Sequence, residues 1–311
     1  MRRSTSHRDL NGILLLDKPA GPSSNQAMQR VRRILVARKA GYAGTLDPLA
    51  TGLLPILLGE ATKFADYAAD SHKVYEATIL LGVTTTTGDL AGDVLSRQSV
   101  KVSSQLIHET TARFLGNITQ VPPMHSALKV NGRALYELAR RGKTIERAER
   151  WVNIAELRAG ELRGDEFDIR VRCSKGTYIR VLAEDIGRAL GCGATLKRLC
   201  RTNVGPFDIG RAITLDALED IGAACNERLL LPVDAAISHL PKFQLDSSQA
   251  ERILNGQMLP VNFESEAPRV RLYHADSSRF IGLGEVVAGT LYPRRLVLAS
   301  QADLRSSCEI A

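Results

Sequence analysis

The stretch that most constrains the fold of this chain covers residues 41–58 and reads GYAGTLDPLATGLLPILL. Gly44 tolerates a positive φ, while Pro48 fixes its own φ and keeps the preceding residue out of the helical region. Asp47 is therefore predicted to lie on a stiff, extended loop, which the apolar run after it can anchor in a core. A carboxylate presented in this way could serve as a nucleophile or a base. An isolated Asp-Pro is more often a simple turn, so other stretches must decide.

The surrounding segments alternate between strand and helix patterns. A helix is predicted to begin at Ser23 or Ser24 and to end at Gly41. Residues 74–82 and 167–174 alternate between apolar and polar side chains and are predicted strands. Residues 215–234 have a mostly helical pattern, and the basic and apolar stretch TLKRLCRTNVGPF before them is assigned no element. Because strands and helices mix without βαβα regularity, the pattern predicts an α+β fold.

A second constrained position lies where the predicted strand 167–174 gives way to a helix. Lys175 and Gly176 bend the chain, and Tyr178 and Arg180 follow at the start of that helix. Side chains at a strand-to-helix junction are rigidly mounted and can be aimed at a ligand.

Composition limits the class of protein. The 41 basic and 34 acidic side chains leave a net charge of +7, which favours an anionic partner. Thr62 stands where a Walker loop needs Gly before Lys63, so a nucleoside triphosphate site is rejected. The five Cys form no C-x-x-C pair, which gives zinc little support and indicates reduced thiols in a cytoplasmic protein. Apolar runs are too short to span a bilayer.

The chain is predicted to divide near residue 243. Residues 1–9 are polar and are expected to form a loose tail. Residues 10–243 would form a catalytic domain. Beyond them, a small helix over 247–255 and three short strands over 270–274, 280–287 and 294–298 indicate a small β-barrel or sandwich in residues 244–311.

Four motifs in this order, DKPAGPSS, GTLDPLATG, KVYEA and KGTYIR, resemble the TruB family of tRNA pseudouridine synthases. The resemblance implies a pseudouridine synthase fold, which is a mixed, mainly antiparallel sheet flanked by helices, with a PUA-like C-terminal barrel. It also implies isomerisation of the uridine at position 55 in the T arm of tRNA. No cofactor is needed for that reaction. The tRNA acceptor end would contact the C-terminal domain, and the protein would act as a cytoplasmic monomer without a protein partner.

The resemblance also assigns roles to individual residues. Asp47 matches the catalytic aspartate, and Tyr75 matches a tyrosine that stacks on the flipped uracil and has been proposed as the base for its C5 proton. Tyr178 and Arg180 match a pair that shapes the pocket, with the arginine ion-paired to the aspartate. Leu199 matches an apolar residue against the base.

Other matched positions have supporting roles. Lys18 and Pro19 match a motif that buttresses the active-site loop, and Lys63 and Asp89 match polar positions near the site. Tyr42 stands where the family commonly has His. It could stack on a nucleotide but could not donate as an imidazole does.

These roles compete with simpler interpretations. Tyr75 could be a cross-strand core aromatic, Arg180 a structural ion-pair partner, and the basic segments merely solvated. An RNA-binding or tRNA-chaperone module with secondary catalysis is the alternative function. A glycosidase or phosphatase using Asp47 is a weaker alternative, because it would lack the second carboxylate that glycoside hydrolysis uses. For catalysis Asp47 must ionise although buried, and a guanidinium such as Arg180 would lower its pKa.

Overall fold

The computed structural model describes residues 7–130, 132–222, 227–263 and 268–298. The strands in these residues are β1 (Gly12–Lys18), β2 (Ala40–Tyr42), β3 (Thr51–Leu58), β4 (Lys73–Leu81), β5 (Val83–Thr85), β6 (Val94–Arg97), β7 (Gly116–Gln120), β8 (Lys129–Val130), β9 (Arg133–Ala134), β10 (Arg150–Ala159), β11 (Glu166–Cys173), β12 (Ala194–Val204), β13 (Phe207–Asp208), β14 (Ile213–Thr214), β15 (Lys242–Leu245), β16 (Leu259–Pro260), β17 (Arg269–His274), β18 (Phe280–Val287) and β19 (Thr290–Leu296). The α-helices are α1 (Ser24–Ile34), α2 (Ala65–Asp70), α3 (Ser104–Ala112), α4 (Leu135–Ala139), α5 (Ile179–Ala189), α6 (Leu215–Ile221) and α7 (Ser247–Leu254).

A ten-stranded sheet forms the larger part of the structure. Its strands run in the order β14-β1-β3-β12-β4-β11-β10-β7, with β13 paired to β12 and β2 paired to β3. The β1–β14 and β3–β12 pairs are parallel and the others are antiparallel. The predicted α+β class, with a mixed and mainly antiparallel sheet, is thereby confirmed.

One face of this sheet packs on helices. Tyr75, Ala77, Ile79 and Leu81 alternate along β4 and lie in the same apolar core as buried residues of α1, α5 and α6, as the pattern predicted. At the β1 and β3 end, the opposite face packs on α2 and on a 3-10 helix, Gly59–Phe64. Helix α5 packs on β12, and Arg180 in its first turn reaches the loop that precedes β3.

Helix α1 begins as predicted but ends early. Ser23 caps it, with its side chain accepting from the Gln26 amide. The helix ends at Ile34 and not at Gly41, because Val36 takes a positive φ of 52° and residues 40–42 pair with β3. Pairing with the long apolar strand therefore overrides the helical pattern in this segment.

Two further segments differ from the sequence prediction. The stretch TLKRLCRTNV, to which no element was assigned, is β12, and it lies between β3 and β4 in the middle of the sheet. In the described part of residues 215–234, the helical pattern gives α6, which ends at Ile221, where Gly222 turns the chain with a φ of 59°, and a short 3-10 helix at Glu227–Leu229.

The small C-terminal β unit is confirmed as a separate sheet. Its five strands follow the order β15-β17-β18-β19-β16, and it curls into a half-barrel. Phe280 of this sheet packs on Phe64 of the larger unit, with ring centroids 5.7 Å apart. Leu298 N also donates to Glu60 Oε2 at 2.7 Å, so the two sheets share a packed, hydrogen-bonded boundary. The first strand of this sheet, β15, begins at Lys242.

Some sequence predictions concern residues outside the described ranges. Of the tail predicted over 1–9, residues 1–6 are outside, whereas Arg8 forms a β-bridge with Ala37. Cys225, Cys308 and residues 299–311 are also outside. Among the described residues, no helix has the length and apolar character required to cross a membrane.

Candidate active site

The Asp47 loop joins β2 to β3 and is pinned on both sides of the carboxylate. Gly44 has a φ of 74°, which explains the need for glycine there. Ser24 holds the loop by both accepting from Leu46 N at 2.7 Å and donating to Leu46 O at 2.9 Å. Pro48 O accepts from the Gly21 amide at 2.8 Å. The stiff loop predicted around Asp47 is therefore anchored to the chain segment that leads into α1.

Arg180 connects the loop to two other segments. It lies in the first turn of α5, its side chain is 4% exposed, and its Nε donates to Asp47 Oδ2 at 2.8 Å. Its other nitrogens donate to Thr87 O at 2.6 Å and to His125 O at 2.7 Å. Asp89 Oδ2 lies 3.7 Å from Nε. The guanidinium thus joins the Asp47 loop to two segments that are distant in sequence, one around Thr87 and one around His125.

Burial and charge act in opposite directions on Asp47. Desolvation in the pocket raises the pKa of its carboxyl above the ordinary value, and the charge of Arg180 opposes this. The negative charge of Asp89 adds to the rise. The side chain of Asp47 is still 37% exposed. The sequence predicted that an arginine would lower the pKa, and the lowering contribution is present but is outweighed by burial.

A small cavity opens beside Asp47. Its volume is about 240 Å³, below the roughly 300–1,000 Å³ of pockets for drug-sized ligands, so it suits one small planar group. Tyr75, Tyr178 and Leu199, which the sequence assigned to the site, all contribute to its wall. The lining residues are Gly44, Thr45, Leu46, Asp47, Ala69, Lys73, Tyr75, Ser126, Ala127, Leu128, Ser174, Gly176, Thr177, Tyr178, Ile179, Arg180, Leu199 and Arg201.

Tyr75 is buried in this wall, with 8% of its surface exposed. Burial raises the pKa of its hydroxyl, and Arg201 opposes the rise. A tyrosine with a raised pKa keeps its proton at neutral pH, which makes it a poor general base. The environment therefore favours the ring as an apolar stacking surface over the hydroxyl as a proton acceptor.

Two buried cations in the wall were missed by the sequence analysis. Arg201 is 1% exposed and donates to Leu53 O at 2.8 Å and to Gly44 O at 2.9 Å. Lys73 is 5% exposed, and burial lowers its pKa to about 8. A signal for Arg201 exists in the sequence, because it follows Leu199 at a spacing of two and so shares its buried face in a strand. This spacing can be interpreted only once residues 194–204 are recognised as a strand.

Lys18 ties together the segments that support the Asp47 loop. It is fully buried, and its Nζ donates to Pro19 O and Pro22 O, both at 2.8 Å, with a longer contact of 3.5 Å to Pro48 O. Burial lowers its pKa to about 8. Its contacts are with backbone carbonyls, and it does not line the cavity.

Lys18→Met is expected to destabilise the fold by about 1–3 kcal/mol, because it leaves two buried carbonyl oxygens without a donor. The rate of the chemical step should also fall, since the Asp47 loop would lose the contact between Lys18 Nζ and Pro48 O. Chemical denaturation and a turnover assay would measure both effects. Lys39→Met, which replaces an exposed lysine, is the matched control and should leave stability unchanged. Equal stability of the two variants would contradict this supporting role.

Three more residues that the sequence assigned to the site lie in different parts of the structure. Asp89 is 5% exposed and lies against Arg180 behind the ion pair. Tyr42 is in β2 and packs against the main core, and it does not line the cavity. Lys63 binds Glu60 at 2.6 Å and Leu296 O at 2.7 Å, so it joins the two sheets instead of facing Asp47.

Comparison with known families matches almost the whole chain. Residues 32–179 match the TruB family pseudouridylate synthase (N terminal domain). Residues 180–238 match the tRNA pseudouridylate synthase B C-terminal domain, and residues 241–297 match the family described as Pseudouridine synthase II TruB, C-terminal.

Individual proteins and structures agree with these matches. The chain is 50% identical over 297 residues to the tRNA pseudouridine synthase B of Azoarcus sp. (strain BH72), covering 96% of this chain and 98% of that protein. It is also 50% identical over 297 residues to the tRNA pseudouridine synthase B of Stutzerimonas stutzeri (strain A1501), covering 93% and 96%. The crystal structure of a Cbf5-Nop10-Gar1 complex contains a similar chain, with a TM-score of 0.69, 27% identity and coverage of 89% and 79%. On the identity and coverage of its relatives, this chain belongs to the TruB family of pseudouridine synthases.

Proposed function

We propose that this protein isomerises a uridine of tRNA to pseudouridine, and that its target is the uridine at position 55 in the T arm. The observation that carries the proposal is the Asp47 carboxylate, fixed by Arg180 at 2.8 Å beside a cavity with an aromatic and apolar wall. The names of the half-identical relatives, tRNA pseudouridine synthase B, supply the substrate class.

The chemistry can be carried by one carboxylate. The N1–C1′ bond of the nucleoside breaks, the uracil turns, and a C5–C1′ bond forms. The C5 proton passes to a base or to solvent, and N1, freed from the sugar, takes up a proton in its place. The overall change is an isomerisation, so the balance requires no oxidant, reductant or nucleotide. Asp47 acts as the nucleophile on the sugar or the pyrimidine, or assists by removing the C2′ proton. Each of these routes requires the ionised carboxylate, which the Arg180 guanidinium favours.

The target base must leave its stack to reach Asp47. Flipping a nucleotide costs on the order of a few kcal/mol. Stacking on an aromatic ring such as Tyr75 returns roughly 1–3 kcal/mol. Contacts between phosphates and basic side chains supply the remainder. Tyr178 and Leu199 complete the apolar enclosure of the base.

The domain division follows from the same assignment. Residues 10–243 carry the reaction, and residues from 244 onward add affinity for the acceptor end of the tRNA. A groove of about 630 Å³ between the two sheets is lined by Lys63, Arg269, Arg294 and Arg295 and also by the carboxylates of Asp66, Asp70 and Glu285. Arg294 pairs with Glu285, so Arg295 is the side chain we propose for contact with RNA phosphate. Because the sheets share packed contacts, point substitutions test this division better than deletion of the C-terminal unit. The protein acts as a cytoplasmic monomer.

Arg295→Gln is expected to weaken tRNA binding and to reduce the slope of log K against log salt by about one, as for loss of one phosphate contact. Arg295 is exposed and forms no ion pair among the described residues. Filter binding at several salt concentrations would measure the slope. Arg163→Gln is the control, since Arg163 pairs with Asp168 on another part of the surface. An unchanged slope for Arg295→Gln would remove the groove from the RNA path.

The alternative is an RNA-binding or tRNA-chaperone module in which catalysis is secondary. The basic balance of +7 favours some RNA-binding role. The alternative gives no reason for a carboxylate clamped by a buried arginine beside a base-sized cavity.

Incubation of the purified protein with unmodified tRNA separates the two functions. Carbodiimide labelling followed by primer extension detects pseudouridine by position. We expect multiple turnovers and one stop at position 55. Binding without any pseudouridine would favour the chaperone.

A further inference from the structure

Ser126 has a buried side chain in the wall of the active-site cavity. The residue is 5% exposed, and its Oγ has no hydrogen-bond partner among the residues that the structure describes. Within the described ranges, the other buried side-chain nitrogen or oxygen atoms in this condition are Arg147 Nε and His274 Nδ1. Of the three residues, Ser126 alone lines the cavity that holds Asp47 and Tyr75.

The backbone around Ser126 is held firmly. Its carbonyl accepts from Tyr136 N at 3.1 Å, and Leu128 O accepts from Leu135 N at 2.8 Å, so α4 fixes the segment from one side. His125 O accepts from Arg180 Nη2 at 2.7 Å, which fixes it from the other. Ser126 is therefore positioned by the same guanidinium that holds Asp47, and rotation about χ1 alone can redirect its hydroxyl.

An unpartnered hydroxyl in such a place indicates a missing ligand group. Buried polar groups are nearly always hydrogen-bonded, and an exception in a native structure calls for a reason. A flipped uracil would bring two carbonyl acceptors and one N3–H donor into a cavity with aromatic and aliphatic walls. A serine hydroxyl can both donate and accept, so it can satisfy either kind of group.

We propose that Ser126 Oγ hydrogen-bonds the polar edge of the flipped uracil and thereby holds the base in register beside Asp47. The inference rests on the proposed function, because it requires a pyrimidine in this cavity. It makes Ser126 a substrate-binding residue of the α4-linked segment. When the base binds, the Ser126 hydroxyl and a polar group on the uracil edge become hydrogen-bonded to each other.

Ser126→Ala tests the contact in the full-length protein with T-arm RNA as substrate. We expect kcat/KM to fall by about 5- to 100-fold, the range for a buried polar group that loses its partner. Thermal stability should be unchanged or slightly higher, because the lost hydroxyl had no partner in the free protein. Ser24→Ala is the matched control for stability. Its hydroxyl bonds both Leu46 N and Leu46 O, so its removal should lower the melting temperature.

Substrate analogues then identify the group that Ser126 contacts. Replacing one uracil carbonyl oxygen at the target position by sulfur weakens that acceptor. If Ser126 donates to the oxygen that is replaced, the loss of kcat/KM caused by Ser126→Ala should shrink towards onefold. The analogue that shows this, 2-thio or 4-thio, identifies the oxygen. If the loss persisted with both thio substrates and with a 2′-deoxy target, Ser126 would accept from N3–H. If it persisted with both thio substrates but disappeared with the 2′-deoxy target, the partner would be the ribose and the proposal would be overturned.

The outcomes also separate this inference from the proposed function. If wild-type protein formed no pseudouridine in any tRNA, the function itself would fail. If wild-type protein were active and Ser126→Ala matched it in kcat/KM on the unmodified RNA, the function would stand. In that case only the Ser126 contact would be wrong.

Discussion

Asp47→Asn is expected to retain the fold and tRNA binding while losing at least about 10⁴-fold in the rate of pseudouridine formation, as for removal of a catalytic nucleophile elsewhere. The amide has nearly the shape of the carboxylate, and its oxygen can still accept from Arg180 Nε, which now lies 2.8 Å from Asp47 Oδ2. It lacks the negative charge that every proposed route uses. Release of tritium from C5-labelled uridine in tRNA would measure the rate.

Asp168→Asn provides the matched control for that loss. Asp168 is an aspartate on β11 that accepts from Thr78 Oγ1 at 2.7 Å and lies outside the active-site cavity. We expect this variant to turn over tRNA at a rate close to wild type. Near-normal turnover by Asp47→Asn, with intact folding, would show that another group carries the chemistry.

Arg180→Met should produce the second large effect, on stability and activity together. Removal of one partner of a buried ion pair typically costs about 3–5 kcal/mol, and the lower end is expected here because Asp47 is partly exposed. The carbonyls of Thr87 and His125 would also lose their donor. Denaturant unfolding should show the loss of stability. Arg163→Met, at an exposed pair with Asp168, should change stability by less than about 1 kcal/mol.

The same substitution should move the pH dependence in a known direction. Turnover requires ionised Asp47, so kcat/KM falls as the pH drops through the pKa of this carboxyl. Burial already raises that pKa, and Arg180 opposes the rise. Without the guanidinium the acid limb should therefore move to higher pH. Arg180→Lys should move it less, because a positive charge remains. An acid limb at the same pH in all three proteins would mean that Arg180 does not act on the catalytic carboxyl.

Local sequence patterns predicted much of the fold. The alternation in residues 167–174 and along β4 identified strands and their buried faces, and Ser23 marked the start of α1. Several strands were not predicted, and β12 is the one that carries Leu199 and Arg201. It lies between β3 and β4 in the sheet, and basic side chains interrupt its apolar pattern. Burial of Arg201 in such a strand depends on carbonyl acceptors from Leu53 and Gly44, which are distant in sequence.

The residues of the site were predicted mainly from the family motifs and less from physical arguments about individual residues. The pairing of Asp47 with Arg180 was expected from the family resemblance, and the structure brings the two within hydrogen-bonding distance. The burial of Ser126 and of Lys73 depends on long-range packing, so no local pattern could indicate it. Lys63 was expected near the site, but its role at the boundary depends on how the C-terminal sheet folds back.

The most direct test of the account is a crystal structure of Asp47→Asn bound to a T-arm RNA. We expect uridine 55 to be flipped out, with its base between Tyr75 and Leu199 and its C1′ next to residue 47. An RNA whose uridine 55 stays stacked, or which binds on the sheet face that carries the exposed Arg170 and Arg198, would contradict the assignment of this cavity to the reaction.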